Sequence, residues 1–236
     1  MYKDKKILAV IPARGHNDEI QHMNIRNLGG KPLIYYTFNA ARKNKYIDEL
    51  IVSTEDKSIA DYAKEEGINV PYLRDKKLSE DNVDMTDILR EAVTFYKNKG
   101  KKFDFIVALY PNAPFKTANL ISKFIEKINK TDYDVIIPVY TNQGFFWQEK
   151  NGKLELILDK EYHSRKDSIK KYEERGGIYV FRNDSLLNKK DIDFNIGFNE
   201  LDYHHSRMVN TIYDLYLLDR VIKLPPKLLK EMQDFK

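Results

Sequence analysis

The 236-residue sequence contains no cysteine. A disulfide framework, a thiolate nucleophile and a cysteine-based zinc site are therefore excluded. Long hydrophobic runs are also missing near the start. A charged segment, residues 1–6, leads into an apolar run at residues 7–11 that is too short for a membrane span or a signal-peptide core. We therefore expect a cytoplasmic protein that has no membrane partner.

A strong excess of one charge is missing as well. Forty Lys and Arg stand against 36 Asp and Glu, which gives a formal net charge of +4 spread along the chain. A nucleic-acid-binding protein would show a basic stripe, so we expect no nucleic-acid partner. The hydrophobic fraction of 42% and the charged fraction of 32% are typical of a folded globular protein. The length fits one domain covering residues 1–236.

Apolar strand-like runs alternate with helical patterns over most of the chain. The predicted strands are residues 7–11, 50–53, 69–72, 105–109, 135–139 and 178–181. The predicted helices are residues 32–44, 56–66, 85–99, 118–130 and 211–222. This alternation predicts a three-layer α/β/α sandwich with a mainly parallel, Rossmann-like sheet. Because residues 7–11 are all apolar, that strand is expected in the sheet interior.

The alternation is interrupted between residues 140 and 170. Residues 145–149 and 154–158 flank Asn151-Gly152, and Asn-Gly is typical of a tight type I′ hairpin turn. The run Phe145-Phe146-Trp147 would be an exposed apolar patch on a monomer. We therefore interpret residues 140–170 as an excursion that mediates a homodimer.

The loop after the first strand is the first candidate binding site. In an open α/β sheet, ligands bind beyond the carboxyl ends of the strands. Here Ala13, Arg14 and Gly15 follow the strand directly. Glycine lets backbone N–H groups approach a phosphate, and arginine offers a planar fork to phosphate oxygens. A loop arginine taken alone is more often a solvated surface charge than a phosphate ligand.

Several segments, in order and at matching spacing, resemble the acylneuraminate cytidylyltransferase (CMP-sialic acid synthetase) family. They are residues 11–14, 24–25, 28–34, 51–56, 70–74, 110–116 and 176–181. The resemblance extends over about residues 5–220, and it implies the nucleotide-diphospho-sugar transferase fold. It also implies an enzyme that transfers CMP from CTP to an acidic, sialic-acid-like sugar and releases pyrophosphate.

The resemblance also implies roles for individual residues. Arg14 and Asn24 would be catalytic residues at the nucleotide. The nucleotide site as a whole would comprise Ala13, Arg14, Gly15, Asn24, Arg74 and Asp81. Tyr110, Lys116 and Arg175 would lie near the acidic sugar, at positions where the family carries other side chains.

The first loop departs from the family pattern. Asp18 and Met23 stand where lysines are expected, and Glu19 replaces a glycine. The loop thus loses two cations and gains two anions. One close contact between opposite charges contributes about 4 kcal/mol at an effective dielectric constant near 20, so reversing its sign should affect phosphate binding.

The second departure concerns the Mg²⁺ cofactor that the resemblance implies. The family holds magnesium with two aspartates, and Met208 and Asn210 stand at those positions. Mg²⁺ requires oxygen ligands, so Met208 is unsuitable and Asn210 would be a weak, neutral ligand. Asp18, together with Glu19, is a candidate replacement ligand.

Three functions remain open from the sequence. The first is a working CTP-dependent transferase of acidic sugars. The second is a catalytically silent homologue that binds a nucleotide or sugar or serves as a partner subunit. The third is an enzyme that uses another nucleotide or another acceptor through an altered site.

Overall fold

The first strand, β1 (Ile7–Pro12), lies in the interior of the central sheet. All six of its residues are buried. The computed structural model describes residues 1–16, 19–80, 82–157, 170–225 and 227–228. Within these, β1 pairs in parallel with β4 (Glu49–Ser53) and with β5 (Phe105–Leu109). The prediction of an interior first strand is confirmed.

Most of the described strands in this sheet run in one direction. The further strands are β6 (Val135–Gln143), β9 (Lys170–Glu174), β10 (Ile178–Arg182) and β11 (Ile196–Leu201). The order is β11-β6-β10-β5-β1-β4, with β9 added against β6. β10 is antiparallel to both neighbours, and β9 is antiparallel to β6. The mainly parallel, Rossmann-like α/β fold is therefore confirmed.

Helices cover both faces of the sheet. They are α1 (Leu33–Arg42), α2 (Lys57–Glu65), α3 (Met85–Asn98), α4 (Ala118–Lys130), α5 (Asn183–Asn188) and α6 (Ile212–Ile222). Side chains alternate across a strand. Ile7, Ala9 and Ile11 accordingly pack with α1, α2 and α4, whereas Leu8 and Val10 pack with α3 and α5.

A smaller apolar cluster places α6 beside the first loop. Leu215 and Leu218 of α6 pack against Leu28 and Leu33. Leu28 belongs to β2 (Asn27–Leu28), which pairs with β3 (Lys31–Pro32) just before α1. The chain after β1 is thus held by the last helix. No helix among the described residues is both long and apolar enough to cross a membrane.

The strand predicted at residues 69–72 is wrong. Asn69 makes one isolated bridge with Ile51, and Pro71 lacks the N–H that a continuing ladder would need. Conversely, β9, α5 and β11 were not predicted. The sequence of β9, Lys-Lys-Tyr-Glu-Glu, has no apolar alternation, and its pairing depends on the outer half of β6.

The predicted hairpin is confirmed, with slightly shorter strands. It consists of β7 (Trp147–Lys150) and β8 (Lys153–Leu156). Asn151 and Gly152 have φ values of 53° and 75°, as a type I′ turn requires. Trp147 and Leu154 remain 55% and 67% exposed. Residues 158–169 of the excursion lie outside the described residues.

Candidate active site

A cleft with a volume of about 310 Å³ opens at the carboxyl ends of β1 and β5. It brings together four of the residues predicted from the sequence: Arg14, Asn24, Arg74 and Tyr110. Two sets of residues lie at the cleft. We call Arg14, Asn24 and Arg74, which line it, together with Glu55, which pairs with Arg74, the β1 wall. We call Tyr110 and Asn112, which line it, together with Met208 and Asn210 of the segment that contacts Asn112, the β5 wall.

Asn24 holds the backbone of the first loop. It is buried, and its side-chain amide donates to the carbonyl oxygen of Arg14 at 2.8 Å. Ala13, which precedes Arg14, is also buried, and its N–H donates to the carbonyl oxygen of Ser53 at 3.0 Å. These contacts fix the direction in which the chain leaves β1. They place the half-buried Arg14 at the cleft.

Gly15 is needed for a close approach between two loops. A Cβ atom there would lie 2.1 Å from a carboxylate oxygen of Asp56. The N–H of Gly15 donates to Oε1 of Glu55 at 2.7 Å. In this structure the N–H of Gly15 therefore donates to a carboxylate of the protein, whereas the sequence predicted that it would contact a phosphate.

Glu55 is the residue of the β1 wall that the sequence analysis missed. Its Oε2 accepts hydrogen bonds from Nη2 of Arg74 and from Oγ of Ser79, each at 2.7 Å. Burial tends to raise the pKa of Glu55, but the hydrogen bonds from Gly15 and Ser79 and the charge of Arg74 outweigh it, so the pKa is lowered. Its position directly after the end of β4 is the one sequence signal that points to it.

Arg74 is fixed from several sides. Its side chain is only 1% exposed, and its Nε donates to Ser79 at 3.0 Å. Its backbone N–H donates to Thr54 at 2.9 Å. With Glu55 as a buried counter-ion, the guanidinium has one fixed position at the cleft.

Tyr110 begins the loop that forms the opposite wall. Its ring lies edge-on to Tyr179 with 5.6 Å between the ring centroids. Burial, with a smaller effect from Glu174, raises the pKa of its hydroxyl group. The hydroxyl group of Tyr110 therefore stays protonated, and the residue lines the cleft.

Lys116 does not reach the cleft. Its side chain is buried, and its Nζ donates to Thr37 Oγ1 at 3.0 Å, to the carbonyl of Tyr110 at 2.6 Å and to the carbonyl of Ala113. These three acceptors use all three donors of the ammonium group. Lys116 thus stabilises the loop after β5 from its buried side. Nothing in its placement supports the predicted contact with the sugar.

Arg175 lies at the edge of the site, next to Gly176 and Gly177. Its Nε donates to Glu173 at 2.7 Å, and its charge acts on Asp214. A Cβ atom on Gly177 would come within 2.8 Å of the carbonyl oxygen of Tyr110, so glycine permits β10 to start against this loop. The predicted sugar contact of Arg175 stays a prediction.

The side chains of Met208 and Asn210 are both engaged in contacts within the protein. The sulfur atom of Met208 accepts a hydrogen bond from Gly176 N–H at 3.1 Å. The Oδ1 atom of Asn210 accepts one from the amide of Asn112 at 3.2 Å, and Asn112 lines the cleft. Asp18 and Asp81 lie outside the described residues, so their predicted roles stay predictions.

A family model described as cytidylyltransferase matches residues 8–221. The chain belongs to this family. The pseudaminic acid cytidylyltransferase of Campylobacter jejuni (strain 81-176) is 31% identical over 179 residues, which cover 74% of this chain and 77% of that protein. The CMP-N,N'-diacetyllegionaminic acid synthase of Legionella pneumophila (strain Philadelphia 1) is 30% identical over 191 residues, covering 78% and 82%.

A solved structure shares the fold of this cytidylyltransferase. The CMP:2-keto-3-deoxy-manno-octonic acid synthetase, determined in complex with CTP, aligns with a TM-score of 0.69 and 17% identity. The alignment covers 92% of this chain and 98% of that one. The family predicted from the sequence is confirmed by the family model and by the two relatives, and this structure confirms the fold.

The donors at positions 208 and 210 do not fit the magnesium ion that the family pattern implies. A thioether is a soft donor, and Mg²⁺ binds hard oxygen ligands in octahedral geometry. The Asn210 amide is neutral and already hydrogen-bonded to Asn112. In the part of the chain that the structure describes, no group of three or more His, Cys, Asp or Glu side chains is placed to hold a metal ion.

Proposed function

We propose that this cytidylyltransferase transfers CMP from CTP to an anomeric hydroxyl group of an acidic, sialic-acid-like sugar. The observation that carries the proposal is the convergence of Arg14, Asn24 and Arg74 in one cleft at the carboxyl ends of the strands. Membership of the cytidylyltransferase family supports CTP as the nucleotide. Two relatives are named for pseudaminic acid and for legionaminic acid, and these names support an acidic, sialic-acid-like sugar as the acceptor.

In the proposed reaction the sugar oxygen forms a bond to the α-phosphorus of CTP. The bond from that phosphorus to the bridging oxygen breaks, pyrophosphate leaves, and the hydroxyl proton passes to solvent. Such a displacement depends on in-line placement and on charge stabilisation, with little covalent help from the protein. Arg14 would stabilise phosphate charge. Asn24 would hold Arg14 in place, and the Arg74–Glu55 pair would orient the nucleotide.

The test is pyrophosphate release with CTP and a panel of keto-acid sugars, with the CMP-sugar identified by mass spectrometry. ATP, GTP and UTP serve as nucleotide controls. Arg14→Ala should lower kcat/KM by about a hundredfold, as removal of one charge-stabilising donor does. The control Arg42→Ala removes a surface arginine paired with Glu66, and it should retain activity.

Met208 and Asn210 favour a second candidate, a silent homologue that binds nucleotide without turnover. Tight CTP binding with no pyrophosphate release from any sugar would support that candidate against the transferase. Release with a different nucleotide would instead show altered specificity.

We also propose a homodimer that forms through the hairpin of β7 and β8. Phe145, Trp147 and Leu154 are each half exposed or more, which is unusual for neighbouring apolar side chains on a monomer. A second copy of the chain, packed hairpin to hairpin, would remove these side chains from water. Light scattering at micromolar concentration tests this, and a monomeric mass would refute it.

A further inference from the structure

The segment at positions 208–210 lies beside the loop that follows β5. The N–H of Val209 donates to the carbonyl oxygen of Asn112 at 2.7 Å, and the Val209 side chain is fully buried. On either side of Val209, Met208 contacts Gly176 and Asn210 contacts Asn112.

The carboxylate group of Asp214, which follows this segment, is already hydrogen-bonded to other groups of the chain. Oδ2 of Asp214 accepts hydrogen bonds from the N–H of Asn210 at 3.0 Å, and from the N–H and the hydroxyl group of Thr211 at 2.8 and 2.9 Å. These contacts form the capping box of α6. A cation drawing on this oxygen would have to break the helix cap.

Positions 208 and 210 bring no negative charge to this rim, because Met208 and Asn210 are neutral. Burial tends to raise the pKa of Asp214, but the hydrogen bonds from Thr211 and Asn210 and the charge of Arg175 outweigh it, so the pKa is lowered. A neutral amide and a thioether disfavour a divalent cation such as Mg²⁺.

We propose that nucleotide binding by this chain uses no divalent cation at the β5 wall, so that CTP binds with the same affinity in magnesium and in a chelator. The proposal rests on the proposed function in that CTP is the nucleotide. It departs from the family pattern at positions 208 and 210.

The test restores the family's carboxylates. Calorimetry measures CTP binding with Mg²⁺ and with EDTA for the wild type, for Asn210→Asp and for Met208→Asp/Asn210→Asp. Asp at 208 still has the Gly176 N–H as a partner. The control is Asn98→Asp/Asn188→Asp, which adds the same charge at exposed positions near the other end of the sheet. Thermal unfolding checks that each variant folds.

We expect the wild-type Kd for CTP to change less than twofold between the two conditions. In the double variant Mg²⁺ should tighten CTP binding by about tenfold or more over EDTA, since even outer-shell changes alter metal affinity by that much. In EDTA the double variant should bind CTP more weakly than the wild type, because two carboxylates then face the triphosphate. The control variant should match the wild type.

A wild type that needs magnesium to bind CTP would overturn the inference. If CTP binds in neither condition, the proposed function has failed, and Mn²⁺ binding followed by electron paramagnetic resonance then decides the inference separately. The wild type should bind no more Mn²⁺ than the control, and the double variant should gain a site. Equal Mn²⁺ binding by the wild type and the double variant would overturn the inference.

Discussion

The two walls of the cleft are stabilised by different kinds of interaction. On the β1 wall Glu55 accepts a hydrogen bond from Gly15 of the loop after β1 and forms a largely buried ion pair with Arg74. On the β5 wall the connections are a thioether, two amides and a buried lysine that contacts only uncharged groups. The β1 wall therefore depends on paired charges that cannot be removed singly. The β5 wall is made of neutral contacts that tolerate replacement one at a time.

The largest effect should come from breaking the ion pair of the β1 wall. Arg74→Met leaves Glu55 largely buried without its counter-ion, so the free energy of unfolding should fall by about 3–5 kcal/mol. Lys101→Met, which removes an exposed partner of Glu49, should cost about 1 kcal/mol or less. Urea unfolding measures both. Equal costs for the two variants would show that the pair does not hold this wall.

On the β5 wall, Lys116 should make stability depend on pH. Burial lowers the pKa of Lys116 to about 7, whereas an unfolded chain has a lysine pKa of about 10.4. Between these values the unfolded chain binds a proton that the folded chain does not, so the free energy of unfolding rises as the pH rises from 7 to 10. This contribution should total about 3 kcal/mol.

The measurement is urea unfolding at pH 7, 8, 9 and 10 for the wild type and Lys116→Met. The rise from Lys116 is the difference between the two pH profiles. Lys123→Met removes an exposed lysine of α4 and should leave the profile unchanged. Parallel profiles for the wild type and Lys116→Met would contradict the expected role of burial.

A smaller effect should follow from crowding the start of β10. Gly177→Ala places a Cβ atom 2.8 Å from the Tyr110 carbonyl oxygen and 3.0 Å from Ala113 Cβ. We expect a loss of about 2 kcal/mol in the free energy of unfolding, together with a raised KM for the sugar. Gly144→Ala, where a Cβ atom would meet nothing within 4 Å, is the matched control. Normal sugar kinetics in Gly177→Ala would separate this loop from acceptor binding.

The smallest effect on folding should come from the hairpin, which lies apart from both walls. Trp147→Ser removes a side chain that is 55% exposed. The free energy of unfolding of the monomer should change by about 0.5 kcal/mol or less, while light scattering should report a monomer in place of the proposed dimer. Tyr213→Ser, at a side chain of α6 that is 72% exposed, should leave the oligomeric state unchanged.

The parts of the site that follow from topology were predictable from the sequence. Arg14 was expected at the site because ligands bind beyond the carboxyl ends of parallel strands, and Arg74 was expected there from the family resemblance. Elements with strong local patterns, such as α4, appear within the predicted bounds.

Contacts made by a single side chain across the fold were not predictable. Glu55 is buried because a partner 19 residues later lies beside it, and no local pattern records that. Lys116 is fully enclosed although lysine is among the residues least often buried. Its three acceptors come from α1 and from its own loop, so only the folded chain reveals them.

The reversed direction of β10 has a consequence for how such a protein can diversify. β6 and β10 are antiparallel neighbours in the middle of the sheet, and the chain between them leaves and returns on the cleft side. Residues added or removed in this connection leave the pairing of the central strands in register. This connection can therefore change in length or in sequence, while β1, which leads into Arg14, keeps its place in the sheet.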